Sequence, residues 1–244
     1  MIQTKHAIVL LAGEGKRLQP FTLSQPKCFA QIGGTLILEN TLRALAQNGC
    51  ENARLVVGHK SDVIRDVMKD EFAGVQIAYT ENRDYQRTNN MYSLALGMRD
   101  LQGPCWVIEG DIFIDPKLLS LRPTGEISWY VDSSTRQIDG AYVEIGANGI
   151  AQRLAVVRDS SSLKPSQSKS VGILHLSARG FLLVRSWLED AIMRGRQNDY
   201  YDLILGDNMW SKIISTVDVA GYKWFEVDNQ RDLAMAEKIF SRQP

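Results

Sequence analysis

Four short apolar runs in the first half of the chain, Ala7–Leu11, Asn52–Val57, Val75–Tyr79 and Pro104–Glu109, alternate with stretches whose apolar residues recur at three-to-four spacing. Those stretches are Leu36–Gln47, Asp62–Lys69 and Asn90–Met98. Runs of five or six apolar residues read as strands buried on both faces, and the longer amphipathic pieces as crossover helices. A strand followed by a helix and another strand makes a parallel pair, so the expected class is α/β. The sheet is expected to be Rossmann-like, mixed and mostly parallel, with flanking helices. From Glu126 the texture changes to successive short strands: Ile127–Val131, Gly140–Ile145, Ile150–Val157 and Ser170–Leu176. The stretch Ser160–Ser170, rich in Ser, Lys and Pro, reads as a mobile loop. Helices at Ala178–Met193 and Tyr201–Ser211, a strand at Lys223–Val227 and a helix at Gln230–Phe240 complete the pattern. The 244 residues suit one domain, 1–244, with a small β-rich insertion at about 126–176.

Lys and Arg number 28, as do Asp and Glu, so there is no net charge to draw the chain to nucleic acid or to an anionic membrane. No run is long and apolar enough to span a bilayer, and Met1–Lys5 is too polar for a signal peptide. Cys28, Cys50 and Cys105 lack metal-site spacing and read as reduced thiols, which together with the missing leader suggests a cytoplasmic protein.

The chemistry starts where the first strand ends, in Leu10–Phe29, LLAGEGKRLQPFTLSQPKCF. Ligands of open α/β sheets sit beyond strand carboxyl ends. Gly13 and Gly15 allow close backbone approach and present N–H groups to an anion. The loop is not a dinucleotide fingerprint, since Leu18 stands where its third glycine belongs. It is not a P-loop either, because Leu10 replaces the first glycine and Arg17 the Ser or Thr. What remains is Gly-x-Gly-x-Arg followed by Pro26-Lys27. Arg17 offers a planar fork for phosphate oxygens and Lys27 a mobile point charge. A solvated, flexible loop would carry the same residues.

Carboxylates close two other strands. Asp111 follows Trp106-Val107-Ile108-Glu109-Gly110, and Glu226 and Asp228 alternate with Phe225 and Val227, which puts both on one strand face. Three oxygen donors near a polyphosphate suit Mg²⁺. Asp228 could instead cap the helix that begins near Gln230.

With these residues in view, the chain resembles the sugar-nucleotide-type nucleotidyltransferases, and most of all their bacterial choline-phosphate cytidylyltransferase branch. The signature Leu11-Ala12-Gly13-Glu14-Gly15-Lys16-Arg17-Leu18, with Pro20, Thr22, Pro26 and Lys27, is similar to the family's, which usually has Ala-Ala-Gly where Leu11-Ala12-Gly13 stands. Asn89-Asn90-Met91-Tyr92-Ser93-Leu94 is similar to that branch's Asn-Asn-x-Tyr-Ser-Leu. The resemblance runs from about Lys5 to Ile239. It implies CTP as donor, Mg²⁺ as cofactor, and in-line attack of an acceptor phosphate oxygen on the α-phosphorus with loss of pyrophosphate. It further implies Arg17 and Lys27 as catalytic groups, and Leu11, Ala12, Gly13, Gly15, Asn90 and Ser93 as the nucleotide side. Asp111, Glu226 and Asp228 become the metal ligands. Lys169, on the mobile loop, is expected to hold the acceptor, helped by Tyr201, Asp202 and Asp207.

Aromatics that a choline acceptor would use are replaced before Asp207-Asn208 by Leu205-Gly206. Tyr200, Tyr201, Trp210, Trp129 and Tyr142 are possible substitutes. The expected acceptor is therefore a small amine-bearing phosphate or phosphonate, phosphocholine first and 2-aminoethylphosphonate close behind. A sugar-1-phosphate nucleotidylyltransferase and a non-catalytic nucleotide-binding regulator are the alternatives. Asn89–Leu94 speaks against the former and the full set of charged residues against the latter.

Overall fold

The computed structural model describes residues 4–135, 139–158 and 163–241. In chain order its strands are β1 His6–Leu10, β2 Gln31–Ile32, β3 Thr35–Leu36, β4 Asn52–Val57, β5 Glu71–Phe72, β6 Val75–Glu81 and β7 Cys105–Glu109. There follow β8 Ile112–Ile114, β9 Ile127–Asp132, β10 Gly140–Ile145, β11 Ala151–Val157, β12 Gln167–Leu176, β13 Ile214–Asp218 and β14 Trp224–Glu226. The helices are α1 Phe21–Ser24, α2 Ile37–Gln47, α3 Ser61–Met68, α4 Asn90–Gly97, α5 Ala178–Met193, α6 Tyr201–Asp207 and α7 Gln230–Ser241.

One ten-stranded sheet organises the molecule, in the order β11-β10-β12-β7-β1-β4-β6-β5, with β9 paired to β12 and carrying β13. The pairs β7–β1, β1–β4 and β4–β6 are parallel. Strands β10, β11 and β12 run antiparallel to their neighbours, and β12 joins this half to the parallel half through β7. The strands of 127–176 thus extend the main sheet. The sheet is the mixed, Rossmann-like one that the alternation of the first half predicts.

Side-chain alternation explains why both faces of β1 are apolar. Ala7 and Val9 pack under α2 and α3 with Leu38, Leu42, Ile64 and Met68. Ile8 and Leu10 face the opposite layer with Met91, Leu94, Phe181, Val184 and Ile204 of α4, α5 and α6. At about 25 cal/mol per Å² of apolar surface removed from water, these two clusters dominate the energetics of folding. A smaller third cluster, with Leu18, Phe113, Phe225, Val227 and Ala236, anchors the glycine loop and β14 against α7.

The structure departs from the sequence expectations in several places. Gln167–Ser170 is not loop but the start of β12, and Gln167, Ser168, Lys169 and Ser170 are all buried between β10 and β9. Of the rest of that expected loop, 160–162 lies outside the described residues. The helix expected over Tyr201–Ser211 ends at Asp207, and a 3-10 turn covers Met209–Ser211. Strands β8 and β13 are too short or too polar for periodicity to reveal. Among the described residues, no helix is long and apolar enough to cross a membrane.

Candidate active site

A cavity of about 870 Å³ opens at the carboxyl ends of β1 and β7. One wall is the glycine loop. Gly13 has no atom within 4 Å of where a Cβ would stand, so its face is open to a ligand. Gly15 has φ 62°, and a Cβ there would lie 3.0 Å from both Lys27 Cβ and Thr22 Cγ2. Only glycine takes that conformation without strain and leaves the lysine its place. Leu11 and Ala12 line the same wall, and Leu18, fully buried, fastens the loop behind it.

Asn82 completes this side and was not evident from the sequence. It is buried after β6 and donates to Thr88 Oγ1 at 3.1 Å and to Ser93 Oγ at 3.0 Å. Its own Oδ1 accepts from Asp84 N at 3.0 Å. The Asn-x-Asp step directly after a strand is the signal that could have marked it. Ser93 lines the cavity through this network.

The cations and carboxylates meet at the centre. Lys27 Nζ lies 2.8 Å from Asp111 Oδ2 and 2.8 Å from Asp228 Oδ1. Arg17 reaches Asp228 at 2.8 Å and Asp139 at 3.4 Å from the rim. Burial opposes the charge on Lys27, but Asp111 and Asp228 outweigh it and raise its pKa above the usual lysine range. Burial would raise the pKa of Asp228, yet Lys27 and Arg17 bring it below the usual value. Asp228 is thus engaged by cations, while Asn229 serves as the acceptor for the N–H groups of Arg231 and Asp232 at the start of α7.

Backbone pairing brings the carboxylates together. Strand β14 runs antiparallel to β8 with Glu226 opposite Ile112, and Val227 N donates to Asp111 O at 2.8 Å. Oxygens of Asp111, Glu226 and Asp228 consequently lie within 4.8 Å of one another. Asp111 Oδ1 is buried without a hydrogen-bond partner. A buried carboxylate oxygen without a donor is what a hard cation would satisfy, so this set fits Mg²⁺.

The far wall is built from side chains of several elements. Lys169, 2% exposed, extends from β12 to Glu226 at 2.9 Å and to the Asp139 carbonyl at 2.7 Å. It is a fixed strand residue, contrary to the expectation that it sits on a mobile loop. Its pKa is raised because Glu226 outweighs the effect of burial. Asp202 faces the cavity from the first turn of α6, and its Oδ1 is buried without a partner. Burial, with Glu226 close by, pushes its pKa up to about 7. Glu109, absent from the sequence-based site, sits behind them. Burial and the charges of Asp111, Asp202 and Glu226 push its pKa well up.

Two sequence assignments are corrected. Asp207 pairs with Arg196 at 2.5 Å on the surface and lies outside the cavity lining, because α6 turns its last residue outward. Tyr201 is 1% exposed and packs in the core beneath α6, and its neighbour Tyr200 lines the cavity instead. Trp129 is also core, donating to Ser170 Oγ at 2.8 Å, Tyr142 is fully buried, and Trp210 stands in solvent. Asn90 lines the cavity, but its amide is engaged with Glu109 and with Tyr201 N.

Residues 7–121 match the model of the MobA-like NTP transferase domain. The "CMP-5'-(3-aminopropyl)phosphonate synthase" of Streptomyces rubellomurinus is 31% identical over 96% of the chain, which spans only 38% of that protein's length. The "2-aminoethylphosphonate cytidylyltransferase" of Lancefieldella rimae is 25% identical over 94% of the chain and 90% of its own length. Among solved structures, the CTP:phosphocholine cytidylyltransferase of Streptococcus pneumoniae superposes with a TM-score of 0.78 at 21% identity, covering 96% of this chain and 98% of that one, a likeness of fold. Over nearly its whole length the chain is thus similar to enzymes named as CMP-transferring synthases and cytidylyltransferases, with the match to the MobA-like NTP transferase domain over residues 7–121.

Proposed function

We propose that this protein transfers CMP from CTP to a small aminoalkyl phosphonate or phosphate and releases pyrophosphate. The observation that carries the amine is Asp202, a buried carboxylate facing the cavity with one oxygen unpartnered. A primary ammonium has N–H donors for a carboxylate at that place, and a trimethylammonium has none. Quaternary amines prefer aromatic cages. Of the aromatics lining the cavity, Tyr85 belongs to the glycine-loop side, next to Gly58 and Ala12, and Tyr200 to the Asp202 side. One aromatic wall is not a cage. The names of the two relatives, both of aminoalkylphosphonate enzymes, support the same substrate class.

In this reading the acceptor oxygen attacks the α-phosphorus of CTP in line and the bond to the β-phosphate oxygen breaks. No group on the protein is covalently modified, so positioning and charge neutralisation do the work. The backbone around Gly13 and Gly15 cradles the triphosphate, with Arg17 on the departing β- and γ-phosphates. Lys27, held between Asp111 and Asp228, faces the charge that develops at the α-phosphate. Lys169 orients the acceptor oxyanion and Asp202 its ammonium. Asp111, Glu226 and Asp228 would hold Mg²⁺, which when bound neutralises phosphate oxygens.

Pyrophosphate release decides the reading. CTP is paired in turn with 2-aminoethylphosphonate, 3-aminopropylphosphonate, ethylphosphonate, phosphocholine and a hexose 1-phosphate. The aminophosphonates should lead, and ethylphosphonate, without the amine, should fall at least tenfold behind. A preference for phosphocholine would give Tyr200 the larger role. A preference for the hexose phosphate would overturn the assignment.

A further inference from the structure

Asn90 opens α4, where the side chain of Asn89 accepts from its N–H at 2.8 Å. Both ends of the Asn90 side-chain amide are engaged. Its Nδ2 donates to Glu109 Oε1 at 3.0 Å, and its Oδ1 accepts from Tyr201 N at 2.9 Å. Tyr201 is the first residue of α6, and no side chain within that helix's own N-terminal turn caps it. One amide therefore ties the end of β7 to the start of α6, and Asn90 itself stands 111 residues before Tyr201 in the sequence. The orientation is determined by Tyr201, because a reversed amide would set N–H against the N–H of Tyr201.

The tether ends one residue from Asp202. A helix start with an unanswered N–H in a buried setting shifts or frays. Asp202, the next residue and part of the cavity lining, would then be displaced with it. A second link enforces the same placement: Asn89 N donates to Gln197 O at 2.9 Å, joining the start of α4 to the segment before α6.

We infer that Asn90 is a positioning residue for acceptor recognition, which sets Asp202 by holding α6 to Glu109, and is not a nucleotide contact as its place in the sequence suggests. The inference rests on the reading of Asp202 as the acceptor's ammonium site. It gives Asn89-Asn90 a physical role in a chain whose acceptor carries an amine. Ser93, one turn along α4, instead accepts from Asn82 and serves the nucleotide wall.

The test uses the full chain with Asn90→Ala and Asn90→Asp. Steady-state kinetics are run with CTP and 2-aminoethylphosphonate, CTP binding is measured by calorimetry, and amide hydrogen exchange is followed over 200–203. Asn90→Ala should raise KM for the aminophosphonate about tenfold, speed exchange at 201–202, and leave CTP affinity within about twofold. It should also narrow the discrimination against ethylphosphonate, which a general loss of structure would not do selectively. Asn90→Asp retains an acceptor for Tyr201 N and loses the donor to Glu109, so exchange at Tyr201 should stay slow. Weaker CTP binding by Asn90→Ala with unchanged exchange over 200–203 would overturn the inference and return Asn90 to the nucleotide side. If the wild-type protein turns over no amine-bearing acceptor, the substrate reading fails. Exchange and CTP binding still decide in that case whether Asn90 tethers α6.

Discussion

The two walls of the cavity are made differently. The wall proposed for the nucleotide comes mostly from one continuous stretch, Leu11–Lys27, and much of what it offers is backbone. The wall proposed for the acceptor is assembled from the ends of β7, β12, α6 and β14, and what it offers is side chains: Glu109, Lys169, Asp202 and Glu226. A wall of backbone N–H groups recognises phosphate, which every nucleotide carries. A wall of buried charges recognises one particular small molecule. The first can be kept while the second is rebuilt one residue at a time, which is how one fold serves several acceptors.

The largest effect is expected where the walls meet. Asp111→Asn keeps the shape and removes the charge that would attract a cation, and loss of one well-placed electrostatic group costs about 10²–10³ in rate. It also takes a partner from Lys27. Activity titrated against Mg²⁺ should show kcat falling by that factor, with circular dichroism confirming the fold. Full activity at ordinary Mg²⁺ would dissolve the proposed metal site. Lys27→Ala should likewise lower kcat far more than it raises KM for CTP, because it acts on charge that develops only in the transition state.

Next comes the acceptor wall alone. Asp202→Asn should raise KM for an aminophosphonate by about tenfold to a hundredfold, the loss of one charge-assisted hydrogen bond, and leave KM for CTP unchanged. Equal changes in both constants would mean that the walls are not separable. The reciprocal variant is Gly15→Ala. Positive φ and contact with Lys27 Cβ should weaken CTP binding by about tenfold, with the preference between acceptors unaltered. A change of acceptor ranking in Gly15→Ala would break the division between the walls.

The same difference explains what the sequence made legible. The glycine loop and Lys27 lie within one short stretch, so the residue types and their order mark a segment that the structure places on the cavity wall. The parallel half of the sheet is legible for a related reason, since strands such as β1 are buried on both faces and read as apolar runs. Lys169 was misplaced because Gln167–Ser170 is polar in composition. Nothing local shows that β9 and β10 will bury it. Glu109 and Asn90 gain their roles only from each other and from Tyr201 N, in contacts that no spacing encodes. Asp207 looked as suitable as Asp202, and only the direction of α6 separates them.

The smallest expected effect on rate, none at all, is at the seam between the two halves of the sheet. His175 of β12 stands opposite Trp106 of β7, with ring centroids 4.8 Å apart, and its Nε2 lies 2.7 Å from Thr4 Oγ1. Its Nδ1 is buried without a partner, and burial lowers its pKa to about 4 from 6.5. The folded state therefore holds the ring neutral where the unfolded chain would protonate it. The contribution is complete above about pH 6.5 and is lost as pH falls towards about 4, the loss amounting to about 3 kcal/mol at most. His175→Phe keeps a ring against Trp106 and removes the titration. Urea unfolding between pH 7 and 4 should show the wild type losing more stability than the variant across that window, while kcat and both KM values at pH 7.5 stay as they were. Parallel stability curves would mean that the ring is solvated at the seam. A shift in acceptor KM alone would mean that the seam transmits to Lys169, six residues up the same strand, and that the acceptor wall extends further into the core than its lining residues suggest.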